Sequence, residues 1–137
     1  GMLSDMLTVS LAKPSRILTP NHYHNGHPDL LVKGRFANDS VKSGGLDGVE
    51  IKTTQKRGGA VDTHGAREQY MCVFVYEVDK VTEPAQDRKP LRFTEIYVGK
   101  VLPEDFRGNE RGQLGTRTAT LHAAGIAKLR TNWVYRL

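Results

Sequence analysis

The stretch Gly48-Val49-Glu50-Ile51-Lys52-Thr53-Thr54, GVEIKTT, decides how the chain is built. It is short, apolar and β-branched, and so reads as a strand. Side chains alternate faces along a strand, which puts Val49, Ile51 and Thr53 on one side and Glu50, Lys52 and Thr54 on the other. The first set can enter a core. The second places a carboxylate and an ammonium on one face, as solvated outer surface or as the lining of a cleft.

Working outward, Pro28-Asp29-Leu30-Leu31-Val32-Lys33 reads as the preceding strand. Residues 34–48, polar and carrying Gly34, Gly44, Gly45 and Gly48, read as a long hairpin connection. A hairpin centred between Asp39 and Ser40 sets Asp29 opposite Glu50. Directly opposed residues have side-chain roots about 5 Å apart. Two ionised carboxylates that close repel, so one takes up a proton or a cation sits between them. A hard divalent ion such as Mg2+ meets that need with carboxylate oxygens, water and a substrate's phosphate oxygens. Lys52 can then stabilise charge building on a phosphoryl group or orient the attacking water. The set suits phosphodiester hydrolysis. It suits acyl transfer poorly, because no nucleophile with an adjacent base is evident.

The remaining pattern is that of an α/β domain with a single mixed β-sheet flanked by helices. Leu3 to Ile17 reads as a helix ended or kinked near Pro14, and Pro20 to Gly26 as a loop dense in turn formers. Lys56-Arg57-Gly58-Gly59 is a basic loop, after which Asp62 is expected to cap a short helical turn running through His64 to Gln69. Tyr70-Met71-Cys72-Val73-Phe74-Val75-Tyr76 is the run of a central strand covered on both faces. Leu91 to Leu102 follows as another strand, after a loop containing Pro84 and Pro90. Thr118 or Thr120 is expected to cap a helix with Leu121, Gly125 and Leu129 on one face, and Trp133-Val134-Tyr135 a closing strand.

At 137 residues the chain has room for one ordinary core, and with 38% hydrophobic and 26% charged residues it fits a globular domain rather than a disordered one. Gly1, directly before Met2, reads as the remnant of an expression tag and is set aside, leaving 2–137 as one domain. No apolar run approaches membrane-span length, and Leu3 to Leu11 lacks the features of a signal peptide. The single Cys72 excludes an internal disulfide, so a cytoplasmic location is expected. The net charge of +5 is unevenly placed. Bases and acids balance over residues 1–106. Residues 107–137 carry Arg107, Arg111, Arg117, Lys128, Arg130 and Arg136 against Glu110 alone, a one-sided excess that either attracts a polyanion or keeps the surface soluble.

Pro28-Asp29, then twenty residues, then Glu50-Ile51-Lys52 resembles the PD-(D/E)XK nuclease superfamily, of restriction-endonuclease-like fold. The resemblance spans residues 27–79. It implies Asp29 and Glu50 as metal ligands, Lys52 as the catalytic lysine, the Ile51 carbonyl as a further metal contact, and Gln69 as an additional catalytic-site residue. It also implies a helix between the Glu-Ile-Lys strand and the next, where Gly58, Gly59 and Gly65 leave little room, and an acid on the N-terminal helix, where only Asp5 is present. The expected activity is that of a Mg2+-dependent endonuclease acting on DNA, with Mn2+ able to substitute, working as a homodimer because cutting both strands needs two sites. A non-catalytic nucleic-acid-binding module that keeps the nuclease fold is the alternative, and a metal-dependent hydrolase of a small phosphorylated molecule a third.

Lys56, Arg57, His64, Arg111 and Arg117 are the candidates for DNA phosphate contacts, which position without reading sequence. His64 can equally be a loop cap. His22, His24 and His27 cluster, and His24-x-x-His27 has a zinc-ligand spacing, but no cysteine or further ligand completes a closed site. His27 is expected beside the cleft. Cys72 reads as core, and Tyr23 as the aromatic to test for stacking on a base.

Overall fold

The structure is a computed structural model and describes residues 1–58, 61–108 and 118–137; Arg111 and Arg117 lie outside the described residues. Helix α1 (Met2–Ala12) is followed by β1 (Leu18–Pro20), β2 (Leu30–Val32), β3 (Gly48–Thr54), β4 (Asp62–Thr63), β5 (Gln69–Glu77), β6 (Arg92–Val101), β7 (Phe106–Gly108) and β8 (Ala119–Leu121). Helix α2 (Ala123–Arg130) and strand β9 (Trp133–Arg136) close the chain. Helix α1 ends before Pro14, which cannot supply the amide a further turn needs.

A six-stranded mixed sheet runs in the order β1-β2-β3-β5-β6-β9, with β3 and β5 parallel and the other pairs antiparallel. The β-branched and aromatic run of β5 lies inside it, as its composition predicts. Ile51 and Phe74 turn to one face and pack with Leu30 and Ala12, under α1. Met71, Val73 and Val75 turn to the other and pack with Tyr97, Val101, Ile126 and Leu129, under α2. Burying apolar side chains on both faces holds the layers together at roughly 25 cal/mol per Å² of apolar surface removed from water.

Two expectations are corrected. Asp62 does not cap a helical turn. It begins β4, which pairs with β8 in a separate three-stranded sheet of order β4-β8-β7, and its Oδ1 accepts a hydrogen bond from the Thr120 hydroxyl at 2.5 Å. Among the described residues there are therefore two sheets rather than one, and the crossover between the parallel β3 and β5 carries a short strand where the nuclease resemblance implies a helix. The second helix starts later than expected: Thr120 and Leu121 belong to β8, and His122 is the N-cap, its Nδ1 accepting from the Gly125 amide at 3.0 Å. Gly125 and Leu129 do face the core, and a Cβ on Gly125 would sit 2.6 Å from the Asp105 carbonyl oxygen, so only glycine lets α2 approach this closely. A further strand, β1, lies in what reads from sequence as the run-up to a loop.

Candidate active site

The register of β2 on β3 pairs Leu30 with Val49 and Leu31 with Gly48, so one step further along Asp29 faces Glu50, the alignment expected from the hairpin. Gly48 makes this possible. A Cβ there would stand 2.0 Å from the Leu30 carbonyl oxygen and 2.5 Å from the Pro28 ring, so any side chain would push the Pro-Asp segment off β3. The Ile51 amide donates to Asp29 Oδ2 at 2.8 Å and fixes that carboxyl over the strand. Glu50 and Lys52 share the face opposite the α1 core, and with Asp29 they line a cleft of about 580 Å³. Asp5 of α1 closes one side, and Thr63, His64 and Arg67 close another.

His27 completes the group. Its backbone is held on both sides, the amide donating to the Lys42 carbonyl (3.0 Å) and the carbonyl accepting from the Gly44 amide (2.7 Å). Its Nδ1 is hydrogen-bonded to Glu50 Oε2. The ring is buried, and Nε2 has no hydrogen-bond partner.

Electrostatics separate the two acids. Burial pushes the Asp29 carboxyl up, to about 8, reinforced by the hydrogen bond and charge of Glu50; the Ile51 amide and Lys52 ammonium pull the other way. Burial alone would raise Glu50 as well, but hydrogen bonds from His27 and Asp29, with the charges of His27 and Lys52, outweigh it and hold Glu50 down, to about 2. The pair thus carries one proton between two oxygen-rich groups. That is the state expected of two carboxylates brought together without a cation.

The donor set fits a hard divalent ion. One oxygen of each carboxylate is taken by the Ile51 amide or the His27 ring, which leaves Asp29 Oδ1 and Glu50 Oε1 for each other or for a cation. Among the described residues, no group of three or more His, Cys, Asp or Glu side chains could by itself hold a metal ion. Water and substrate phosphate would have to complete the shell, as is usual for Mg2+. The same observation covers the zinc spacing: His22 Nδ1 lies 3.2 Å from the Asn38 carbonyl oxygen and His27 is engaged by Glu50.

The other sequence candidates divide. Ile51 and His64 line the cleft. Gln69 opens β5 but is fully buried away from the cleft wall, its amide nitrogen 3.4 Å from the Arg67 carbonyl oxygen and its Oε1 without a partner. Lys56 and Arg57 are not on the cleft wall, and Arg57 turns toward Glu95, at 3.9 Å. Tyr23 is exposed, as its loop predicts. Cys72 packs beside the α1 core, and burial pushes its thiol up to about 12, which keeps it inert as a nucleophile at neutral pH. Sequence reasoning missed Lys42 and Arg67, both on the cleft wall. Neither lies in a segment with a readable period, so nothing local indicates where it points.

The fold and site together define a mixed α/β domain with a carboxylate pair, a lysine and an imidazole gathered in one polar cleft. No family model matches the chain, and no curated protein and no solved structure matches it either. Among the described residues, no helix is long and apolar enough to cross a membrane.

Proposed function

We propose that the protein is a Mg2+-dependent phosphodiesterase of the PD-(D/E)XK kind that cuts DNA. The observation that carries this reading is the convergence of Asp29, Glu50 and Lys52 on one wall of an open cleft. Asp29 and Glu50 would hold the ion, with the Ile51 carbonyl as a further contact. When bound, the divalent ion offsets charge building on the phosphoryl group and makes water a better nucleophile. Lys52 donates hydrogen bonds to the phosphoryl oxygens as that charge develops, or aligns the attacking water, whose oxygen bonds to phosphorus while the bond to the leaving ester oxygen breaks. Lys42, His64 and Arg67 offer contacts to neighbouring phosphates along the cleft.

Two cuts in a duplex need two such sites, and the reading includes a homodimer. Edge strand β9, with Trp133, Val134 and Tyr135 exposed, is a surface available to a second copy. Light scattering of the purified protein gives the oligomeric state directly.

The test of the main reading is incubation with supercoiled plasmid. Mg2+ or Mn2+ should yield nicked and linear DNA, and Lys52→Ala should abolish this while its circular dichroism stays that of the parent. A second reading, a binding module that keeps the fold without turnover, is favoured by the carboxylates' engagement with each other and with His27. It predicts a mobility shift of DNA that falls steeply with salt and no cleavage under any divalent ion.

A further inference from the structure

Buried polar atoms without partners are few in folded proteins, and each calls for a reason. Three occur among the described side chains: Gln69 Oε1, the Tyr97 hydroxyl and His27 Nε2. Of these residues, only His27 lines the cleft. Its position is not an accident of a loose loop, because the backbone is clamped by Lys42 and Gly44 and the ring is held at its other nitrogen by Glu50. A residue held at three points on a cleft wall, yet left with a buried ring nitrogen unsatisfied, is preorganised for something that arrives. The cleft sets Lys42, Lys52 and Arg67, which have only donors to offer, beside the carboxylates Asp5, Asp29 and Glu50, a lining that suits a phosphate arriving together with a cation.

We infer that His27 is a substrate-contacting residue, its Nε2–H donating to a non-bridging oxygen of the scissile phosphodiester while Nδ1–H stays on Glu50. The inference rests on the nuclease reading above and adds to it a residue outside the Asp-Glu-Lys set. The ring, with an N–H on each nitrogen and so an imidazolium in this complex, then lies between two anions, the Glu50 carboxylate and the phosphate. It ties the position of a metal-ligating carboxylate to the position of the substrate, so that misplacing one misplaces the other. No bond is made or broken by His27 itself. Its contribution is orientation and charge at the phosphate.

Two substitutions separate its two nitrogens. The amide of asparagine reaches where Nδ1 does, and that of glutamine where Nε2 does. His27→Asn should keep the brace on Glu50 and lose the phosphate contact. The half-maximal Mn2+ concentration in a thermal-shift titration should therefore stay at the parent value, while kcat/KM on plasmid falls about ten-fold or more, as for loss of a hydrogen bond to a charged group. His27→Gln should show the opposite balance, with the Mn2+ midpoint raised by roughly ten-fold or more.

A direct readout needs no variant as catalyst. In protein carrying nitrogen-15 histidine, a short DNA duplex titrated in the presence of Ca2+ should shift the His27 Nε2 resonance, assigned by its absence in His27→Asn. If the duplex binds, by fluorescence anisotropy, and this resonance stays put, or if His27→Asn cleaves like the parent, the inference fails and the nuclease reading survives. If the duplex neither binds nor is cut by the parent protein, the nuclease reading fails and takes the inference with it.

Discussion

Two buried carboxylate clusters share one face of the main sheet, and they are satisfied to different degrees. At Glu95 on β6, fully buried, Arg130 closes a two-point bond, Nε to Oε1 at 2.5 Å and Nη2 to Oε2 at 2.9 Å. Arg136 and Arg57 stand at 3.7 and 3.9 Å from Oε2. The hydrogen bonds from Arg130 hold this acid below the usual carboxylate range. At Asp29 and Glu50, two acids lie against each other, one retains a proton, and the histidine beside them has a free nitrogen. The first cluster fastens α2 and β9 to the sheet with cations in excess. The second leaves donor and acceptor capacity open toward a cleft. Burial alone therefore does not single out an acid as a candidate; burial with incomplete pairing is what sets Asp29 and Glu50 apart.

The largest expected effects test that division. Lys52→Ala should cost about a hundred-fold or more in plasmid cleavage, the scale of removing one preorganised charge stabiliser, with the melting temperature barely moved. Arg130→Ala should do the reverse. Removing the two-point partner of buried Glu95, with Arg136 and Arg57 still beside it, costs about 3 kcal/mol, the low end for breaking a buried pair, or roughly a 10 °C fall in melting temperature, with cleavage per folded molecule retained. A stable but inactive Arg130→Ala protein would show that the two clusters are one functional unit.

How the two clusters were encoded also differs. Asp29, Glu50 and Lys52 are legible because their placement follows from period-two alternation and one hairpin register, both local properties of residues 28–54. The central strand β5 is legible from its unbroken β-branched run. The Glu95 cluster is not, since its members come from β6, α2, β9 and a loop, and only the fold brings them together. The second sheet escapes for the same reason. Its strand β4 is two residues long, and Asp62 before Thr63-His64-Gly65 has the chemistry of a cap until Thr120, far along the chain, supplies its partner. His27 is readable as a neighbour of the cleft, but not as the group that holds Glu50.

The proton shared by the open cluster gives a pH signature that the closed one lacks. Asp29 is raised from 3.8 to about 8, so the folded state holds its proton more tightly than the unfolded chain. Its contribution is complete below about pH 4 and is lost as pH rises toward 8. Glu50 has the opposite sign: lowered from 4.5 to about 2, it contributes above pH 4.5, and that is lost as pH falls toward 2. Of the two acids, Asp29 is the one that titrates between pH 5 and 8. Asp29→Asn keeps an oxygen for the Ile51 amide and has no proton to lose, so in urea melts without divalent ions it should gain on the parent by up to about 1.4 kcal/mol per pH unit. A flat or reversed difference would mean that Asp29 is already ionised.

A cation at this pair must displace the same proton. The thermal shift produced by a fixed, subsaturating Mn2+ concentration should therefore be larger at pH 8.5 than at pH 6.5, and vanish in Glu50→Gln. Equal shifts at both pH values would place the ion elsewhere.

The smallest effect is the most discriminating for the basic residues. Arg57 follows β3 in sequence and is a natural candidate for phosphate, yet it faces Glu95, itself half-exposed and at long range. With its cation half-exposed and 3.9 Å away, and with Arg130 already bonded to Glu95, this contact is worth less than about 1 kcal/mol, so Arg57→Ala should hardly change stability. It should also leave the salt dependence of DNA affinity unaltered. Arg67→Ala, from the cleft wall, should lower the slope of log K against log salt by about one, the signature of a single lost phosphate contact. If Arg57→Ala lowers the slope and Arg67→Ala does not, DNA runs over the closed cluster rather than the open one. The cleft would then be the wrong end of the face on which to look for the reaction.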